Sequence, residues 1–100
     1  MYGYSYGVAR KLNQGLSGEI TSIDDTRITV RVINSEHFNL NDTVRLETTD
    51  YTVIEYTDGR KLSVYDLNTG DKIKVKYLSK DIDRDAWLIN NILSVEVYST

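Results

Sequence analysis

The sequence contains no cysteine and no proline, and it has a single histidine in 100 residues. Without cysteine the chain can form no disulfide and no Cys-based zinc or redox site. No apolar run is long enough to span a bilayer. Nucleophilic catalysis usually requires a base, most often histidine, held against the nucleophile. The lone histidine, His37, lies in a polar stretch with no partner motif. These absences exclude disulfide-stabilised, thiol-based and helical membrane classes.

The charge balance is mildly acidic, with a formal net charge of −3 and a pI near 5.0. Generic attraction to nucleic acid or to an anionic membrane requires the opposite sign. Hydrophobic residues make up 40% of the chain, and eight tyrosines stand against one phenylalanine and one tryptophan. Aromatic and β-branched residues favour strands. The length fits one soluble domain.

Two runs alternate between apolar and polar residues: residues 27–32 strictly, and residues 72–78 as far as Tyr77. This period of two predicts strands with one buried face. The first run follows an Asp-Asp turn at 24–25, so residues 17–33 are predicted to form a β-hairpin. The side chains expected to point inward are Ile20, Ile28, Val30, Val32, Val44, Leu46, Leu67, Ile73, Val75, Tyr77 and Ile92.

The remaining patterns predict further short strands. Residues 43–47 alternate, and residues 51–57 and 60–64 flank an Asp-Gly turn signal. A loop or helical turn is expected at 65–71, and residues 87–98 are read as a last strand with an internal bulge. A weak internal echo relates the sequence before Asp42 to that before Asp71. We predict an all-β fold: a single OB-like barrel of five or six strands, with a short turn or helical link before the fourth strand.

The domain is expected to cover residues 16–100, after an N-terminal extension at 1–15. The extension carries Tyr2, Tyr4 and Tyr6, whose spacing fits either a flexible tail or an added edge strand that docks a partner. It lacks the pattern of a signal or transit peptide. Two compartments stay open: the cytoplasm, or the cell envelope if the domain belongs to a longer exported chain.

The sequence shows no catalytic, cofactor or metal motif. No GxSxG, HExxH or phosphate-binding loop is present. The alternate aspartates Asp81, Asp83 and Asp85 resemble a calcium loop, but Ala86 and Ile92 stand where an EF-hand needs glycine and glutamate. A charged hairpin turn is the favoured interpretation, and a weak calcium site of another kind stays open. We expect no enzyme activity and no cofactor.

One surface is a candidate ligand face. If the second and third strands are neighbours, Arg27, Arg31 and Arg45 point outward together, on the face that OB barrels use for oligonucleotides. Tyr51 or Tyr56 would then have to supply the aromatic platform on which bases stack. Charged outward residues are also the ordinary surface of a soluble strand, which is the favoured interpretation.

Two segments resemble small OB-like domains of unknown function that recur in bacterial envelope, surface-layer and other exported proteins. The first is the hairpin at 18–30 (GEITSIDDTRITV), and the second is the link at 63–75 (SVYDLNTGDKIKV). The resemblance covers residues 18–98. It implies an OB-like fold and no catalytic residues, with Leu67 closing one barrel end. We therefore expect a non-catalytic structural or interaction module with a protein partner or neighbouring domains. The alternative is an oligonucleotide-binding protein.

Overall fold

The computed structural model describes residues 13–98, which form eight β-strands and two 3-10 helices. Six of the strands have four residues or more, and the other two have only two residues each. The strands are β1 (Asn13–Asp24), β2 (Arg27–Ser35), β3 (Thr43–Glu47), β4 (Val53–Tyr56), β5 (Lys72–Leu78), β6 (Ile82–Asp83), β7 (Leu88–Ile89) and β8 (Ser94–Val97). The helices are Val64–Asp66 and Ser79–Asp81.

All the strands belong to one sheet, in the order β4-β8-β5-β1-β2-β3-β7-β6, and this sheet does not close on itself. The pairs β3–β7 and β4–β8 are parallel, and the others are antiparallel. The predicted hairpin is confirmed: β1 and β2 pair around a two-residue turn at 25–26. A short helix precedes β5, as the predicted link requires.

The core matches the alternation in the sequence. Every side chain that was predicted to point inward is at most 5% exposed. Six further buried residues complete the core: Leu16, Phe38, Ile54, Ile89, Val95 and Val97. Burying a side chain of this kind contributes about 1.5 to 3 kcal/mol relative to leaving it exposed. The interior of the curved sheet is therefore the hydrophobic core that stabilises the fold.

Strand β1 is the longest, with 12 residues; it pairs with β5 through residues 13–19 and with β2 through residues 16–24. Two register shifts interrupt its pairing with β2, between Ser17 and Gly18 and between Ile20 and Ser22. Shifts of this kind bend a strand and increase its twist. The bends let one strand serve both halves of the barrel.

Two sequence expectations need correction. Residues 60–64 do not form a strand; they return along β4 with a single bridge, Glu55 to Lys61, before the helix begins at Val64. The last segment contains no bulge. It divides into β7 and β8 around a turn in which Asn91 has a φ of 54°. Ile92 belongs to neither strand, so the alternation of β8 does not apply to it, and Ile92, Val95 and Val97 can all be buried.

The weak echo in the sequence corresponds to two turns with the same hydrogen bonds. In one turn, the Asp42 carboxylate accepts from the Asn39 N–H at 2.7 Å, and in the other the Asp71 carboxylate accepts from the Asn68 N–H at 2.9 Å. Position three of each turn has a positive φ, 71° at Asn41 and 94° at Gly70. Each turn also follows a buried apolar residue, Phe38 or Leu67. The match therefore pairs Leu67, not Tyr65, with Phe38.

The N-terminal tyrosines Tyr2, Tyr4 and Tyr6 lie outside the described residues. Between residues 13 and 98, no helix has the length and apolar character needed to cross a membrane.

Candidate functional site

The predicted basic face exists as a geometric arrangement. β2 and β3 are neighbours, with Arg27 opposite Glu47 and Thr29 opposite Arg45. Alternate residues of both strands are buried, so the three arginines share the outward side. The structure therefore brings Arg27, Arg31 and Arg45 onto one surface.

Acidic partners occupy two of these arginines. Arg27 donates to Glu47 Oε1 from Nε at 3.2 Å and from Nη2 at 2.9 Å. Arg31 donates to Glu19 Oε1 at 2.9 Å, and Lys72 lies 3.8 Å from the other Glu19 oxygen. Hydrogen bonding from Arg31 and the charge of Lys72 lower the pKa of Glu19. Carboxylates that stay ionised beside the arginines reduce the positive potential that a phosphate backbone needs.

The third arginine has a structural role. Arg45 donates through its backbone N–H to Trp87 O at 2.9 Å and through its guanidinium to Ala86 O. Trp87 is in the left-handed region, with a φ of 50°, and its ring packs 5.6 Å from that of Phe38. Arg45 therefore holds the turn before β7 against the sheet.

Neither candidate tyrosine lies on strands β2 and β3. Tyr51 projects from the loop between β3 and β4 and is 92% exposed. Tyr56 ends β4, which pairs with β8, and the Arg60 guanidinium lies over its ring at 4.5 Å. The outward residues of 27–31 and 43–47 thus combine arginines with threonines and a glutamate, and offer no aromatic platform for bases.

A different surface forms a cleft, which we call the threonine cleft. It lies at the turn end of the β1–β2 hairpin and has a volume of about 290 Å³. This is close to the lower limit of about 300 Å³ that is usual for small-molecule sites. Three separate segments supply its lining: the hairpin turn, the stretch from Thr48 into β4, and the approach to the first helix. Its lining residues are Thr26, Thr48, Thr49, Asp50, Thr52, Ile54, Leu62, Ser63, Val64 and Tyr65.

Internal hydrogen bonds fix the hydroxyl groups of the threonine cleft. Thr26 Oγ1 donates to Glu47 Oε2 at 2.7 Å, and Thr48 Oγ1 donates to Thr26 O at 2.8 Å. Thr52 Oγ1 donates to Ile92 O at 2.6 Å. Since that bond uses its only proton, Thr52 Oγ1 can only accept in its 3.5 Å contact with Thr49 Oγ1. The hydroxyl protons of Thr26, Thr48 and Thr52 are therefore directed into the protein.

The rim of the threonine cleft is acidic and aromatic. The Tyr65 hydroxyl donates to Asp25 Oδ1 at 3.1 Å, and this bond, together with the charge of Asp25, raises the pKa of Tyr65. Asp50 also acts on the Tyr65 phenol, which places its carboxylate close to the same rim. Tyr65 belongs to the first helix, whose start is fixed by a capping box: the Ser63 and Asp66 side chains each accept a hydrogen bond from the other residue's backbone N–H. The rim is thus rigid in backbone and negative in charge.

Near the other end of β1, two polar atoms are buried and unpartnered among the described residues: His37 Nε2, after β2, and Tyr77 Oη, on β5. Their rings lie 6.5 Å apart. Burial raises the pKa of Tyr77, and the nearby Ser35 hydroxyl opposes this more weakly without completing a hydrogen bond. A groove of about 360 Å³ begins beside Ser35, but the described residues that line it include no aromatic side chain.

We predict that Tyr77→Phe leaves the free energy of unfolding at pH 7 within about 1 kcal/mol of wild type, or raises it, because it removes an unsatisfied buried hydroxyl. Burial raises the pKa of Tyr77 above its ordinary value of 10.0. The contribution of the Tyr77 hydroxyl to the free energy of unfolding is therefore complete below pH 10 and is lost as the pH rises through the pKa of the folded state. The variant should therefore lose less stability above pH 10 in urea unfolding. Tyr51→Phe removes an exposed hydroxyl and is the control. A loss of more than about 2 kcal/mol at pH 7 would show that a bound water or ligand satisfies Tyr77.

The aspartates of the predicted charged turn have a local role. Asp83 Oδ1 accepts from the N–H groups of Asp85 and Ala86 at 3.1 and 3.3 Å, which closes the turn between β6 and β7. Across residues 13–98, no three His, Asp or Glu side chains come together as a metal site would require.

Sequence reasoning missed the threonine cleft because its residues come from three distant segments. In the sequence, Thr48, Thr49 and Asp50 stand between two predicted strands, at 43–47 and 51–57, and indicate only a break between them. The one available signal was the density of threonine at 48–52, where three of five residues are threonine.

The fold places this domain among the small OB-like β-barrels, here with an open sheet. No family model matches the sequence, and no curated protein matches it.

Among solved structures, the chain is similar to CusF. A Cu(II)-bound tryptophan-to-alanine variant of CusF from Escherichia coli is 19% identical over 88% of this chain and 94% of that one, with a TM-score of 0.60. Ag(I)-bound CusF is 19% identical over 85% and 96%, with a TM-score of 0.59. Metal-free CusF from Escherichia coli is 20% identical over 87% and 88%, with a TM-score of 0.57. At this level of identity the likeness shows the fold alone.

Proposed function

We propose that this domain is a non-catalytic binding module and that the threonine cleft is its ligand site. The observation that carries the proposal is the composition of the cleft. It combines an apolar floor with fixed hydroxyl oxygens and an exposed aromatic ring, within one concave surface. Small-molecule sites typically combine apolar walls with a few oriented polar groups. The two unpartnered atoms near Ser35 lie at the other end of β1, away from this surface.

Association with the cell envelope is part of the proposal. It is supported by the resemblance of residues 18–98 to modules of exported proteins. Within a larger envelope protein, the domain would present the threonine cleft to a ligand while its neighbours hold it in place.

The metals bound to CusF do not fit this chain. Ag(I) is a soft ion that favours cysteine and methionine sulfur, and Cu(II) favours nitrogen and oxygen donors, imidazole above all. This sequence has no cysteine, one methionine at its first position and one histidine. The binding role is therefore proposed without a metal.

The proposal is tested by mapping a panel of neutral, cationic and anionic fragments onto the ¹⁵N-labelled protein by NMR. We expect chemical-shift changes to concentrate at the backbone amides of residues 48–52 and 62–65. Changes confined to the outward face of β2 and β3, or no saturable change at all, would contradict the assignment of the threonine cleft.

We predict that the protein does not bind single-stranded DNA, because Arg27 and Arg31 are paired with glutamates. The measurement is fluorescence anisotropy with labelled oligo(dT) of about 15 nucleotides at low salt, where a phosphate-binding surface is strongest. The variant Glu19→Gln, which releases Arg31 and Lys72, is a positive control for the method. Wild-type binding that weakens steeply with salt and disappears in Arg27→Glu/Arg31→Glu would instead support an oligonucleotide-binding function.

A further inference from the structure

The threonine cleft presents hydrogen-bond acceptors and few donors. Thr26 and Tyr65 each direct their hydroxyl proton to an internal acceptor. A hydroxyl that donates internally retains oxygen lone pairs for a ligand. A ligand that fits this surface must therefore bring its own O–H or N–H donors. Phosphate and carboxylate groups, which only accept hydrogen bonds when ionised, are poor partners for it.

The charge of the rim favours the same kind of ligand. Asp50 lines the threonine cleft and makes no ion pair within the described part of the chain, and Asp25 stands behind Tyr65. None of the ten described lining residues is basic. The charged side chains of the lining and of its rim are therefore acidic, which disfavours anions and favours donor groups or ammonium groups.

The floor of the threonine cleft adds an apolar requirement. Ile54 is buried beneath it, Leu62 and Val64 are half-buried, and the Tyr65 side chain is 75% exposed at the edge. Tyrosine offers an apolar ring face to a ligand while its hydroxyl stays hydrogen-bonded. A flat molecule with hydroxyls around its edge and C–H groups on its face satisfies both requirements. A pyranose ring has this distribution.

We propose that the threonine cleft binds a saccharide, through the apolar face of a sugar ring on Tyr65 and through sugar hydroxyls that donate to the threonine oxygens. This inference rests on the proposed function and specifies its ligand class. A sugar that carries a protonated amine gains an additional attraction to Asp50.

The test is an NMR titration of the full chain with four probes. They are cellobiose, the disaccharide of glucosamine, cadaverine as a diamine without a sugar, and glucose 6-phosphate as an anionic sugar. We expect both disaccharides to shift the amides of residues 48–52 and 62–65. Di-glucosamine should bind more tightly than cellobiose, and glucose 6-phosphate should bind more weakly than either.

Two substitutions assign the contacts. Tyr65→Ala should weaken cellobiose binding about tenfold, equivalent to about 1.4 kcal/mol. Tyr51→Ala removes a more exposed tyrosine from the adjacent loop and should leave binding unchanged. Asp50→Asn should weaken di-glucosamine binding and leave cellobiose binding unchanged. Because all three side chains are exposed, the variants should retain the wild-type NMR spectrum away from the substitution.

The outcomes separate the ligand class from the binding role. If neither disaccharide binds, or if cadaverine binds as tightly as di-glucosamine, the saccharide is excluded. A fragment panel that still maps to the threonine cleft would then leave the binding role standing. Glucose 6-phosphate that matches cellobiose in affinity, or an equal loss in Tyr51→Ala and Tyr65→Ala, would also overturn the saccharide assignment.

Discussion

Gly18→Ala should lower the free energy of unfolding by about 3 kcal/mol, the upper part of the usual range for overpacking a core. A Cβ atom at Gly18 would lie 2.3 Å from Val30 Cγ1 and 2.7 Å from Arg31 O. The second neighbour is a backbone carbonyl of the adjacent strand, so rotating a side chain cannot relieve both contacts. The strands must separate at the place where β1 changes its register. Urea unfolding followed by circular dichroism measures the loss.

Gly15→Ala is the matched control because it lies on the same strand. Its Cβ would meet only Val75 O, at an ordinary distance of 3.6 Å. Residue 15 is exposed, and replacing glycine with alanine also reduces the entropy of the unfolded chain, which stabilises a protein by about 0.4 to 1 kcal/mol where the backbone is compatible. Equal stability of the two variants would show that β1 and β2 do not approach closely at Gly18.

The alternation of residues in β2 and β5 made the core predictable. Val30 and Val75 are fully buried, while Thr29 and Lys74 on the same strands are not. An alternation with period two determines which residues share a face of the strand, and only one of the two faces can be buried away from water. The buried set, the hairpin and the all-β class all follow from this one physical constraint.

Parity failed where a turn replaced a continuous strand. Nothing in the stretch around Asn91 distinguishes a bulge from a change of direction, because asparagine tolerates both extended and left-handed backbone. Residues 60–64 were similarly misread. A Ser63–Asp66 capping box starts a helix there, and this local interaction outweighs the β-propensity of Val64.

The two candidate sites differ in how much of each can be predicted from the sequence. The outward arginines were predicted from parity, but their pairing with Glu19 and Glu47 depends on register across three strands. The threonine cleft depends on contacts between segments such as Thr26 and Thr48, which are 22 residues apart. The pattern of a single sequence reports on neighbouring residues, and it does not indicate which distant segments come into contact.

Leu67→Ala tests whether the link before β5 closes one end of the barrel. Leu67 is 5% exposed and follows the first helix directly, where the Gly70 N–H donates to Ile20 O at 2.7 Å and fixes the link across β1. Truncating a buried leucine removes its burial energy and leaves a cavity that the surroundings fill only in part. We expect a loss of about 3 kcal/mol in urea unfolding, within the range of about 2 to 5 kcal/mol for such changes.

Leu40→Ala is the control for Leu67→Ala, since Leu40 occupies the twin turn before β3 and is 66% exposed. It should change stability by less than about 0.5 kcal/mol, as exposed substitutions usually do. Phe38→Ala, at the position in the twin turn that corresponds to Leu67, should be as costly as Leu67→Ala, because each side chain anchors its turn to the core. A loss of no more than about 1 kcal/mol in Leu67→Ala would mean that the link rests on its hydrogen bonds alone. The two turns would then share a backbone geometry without sharing an anchoring role.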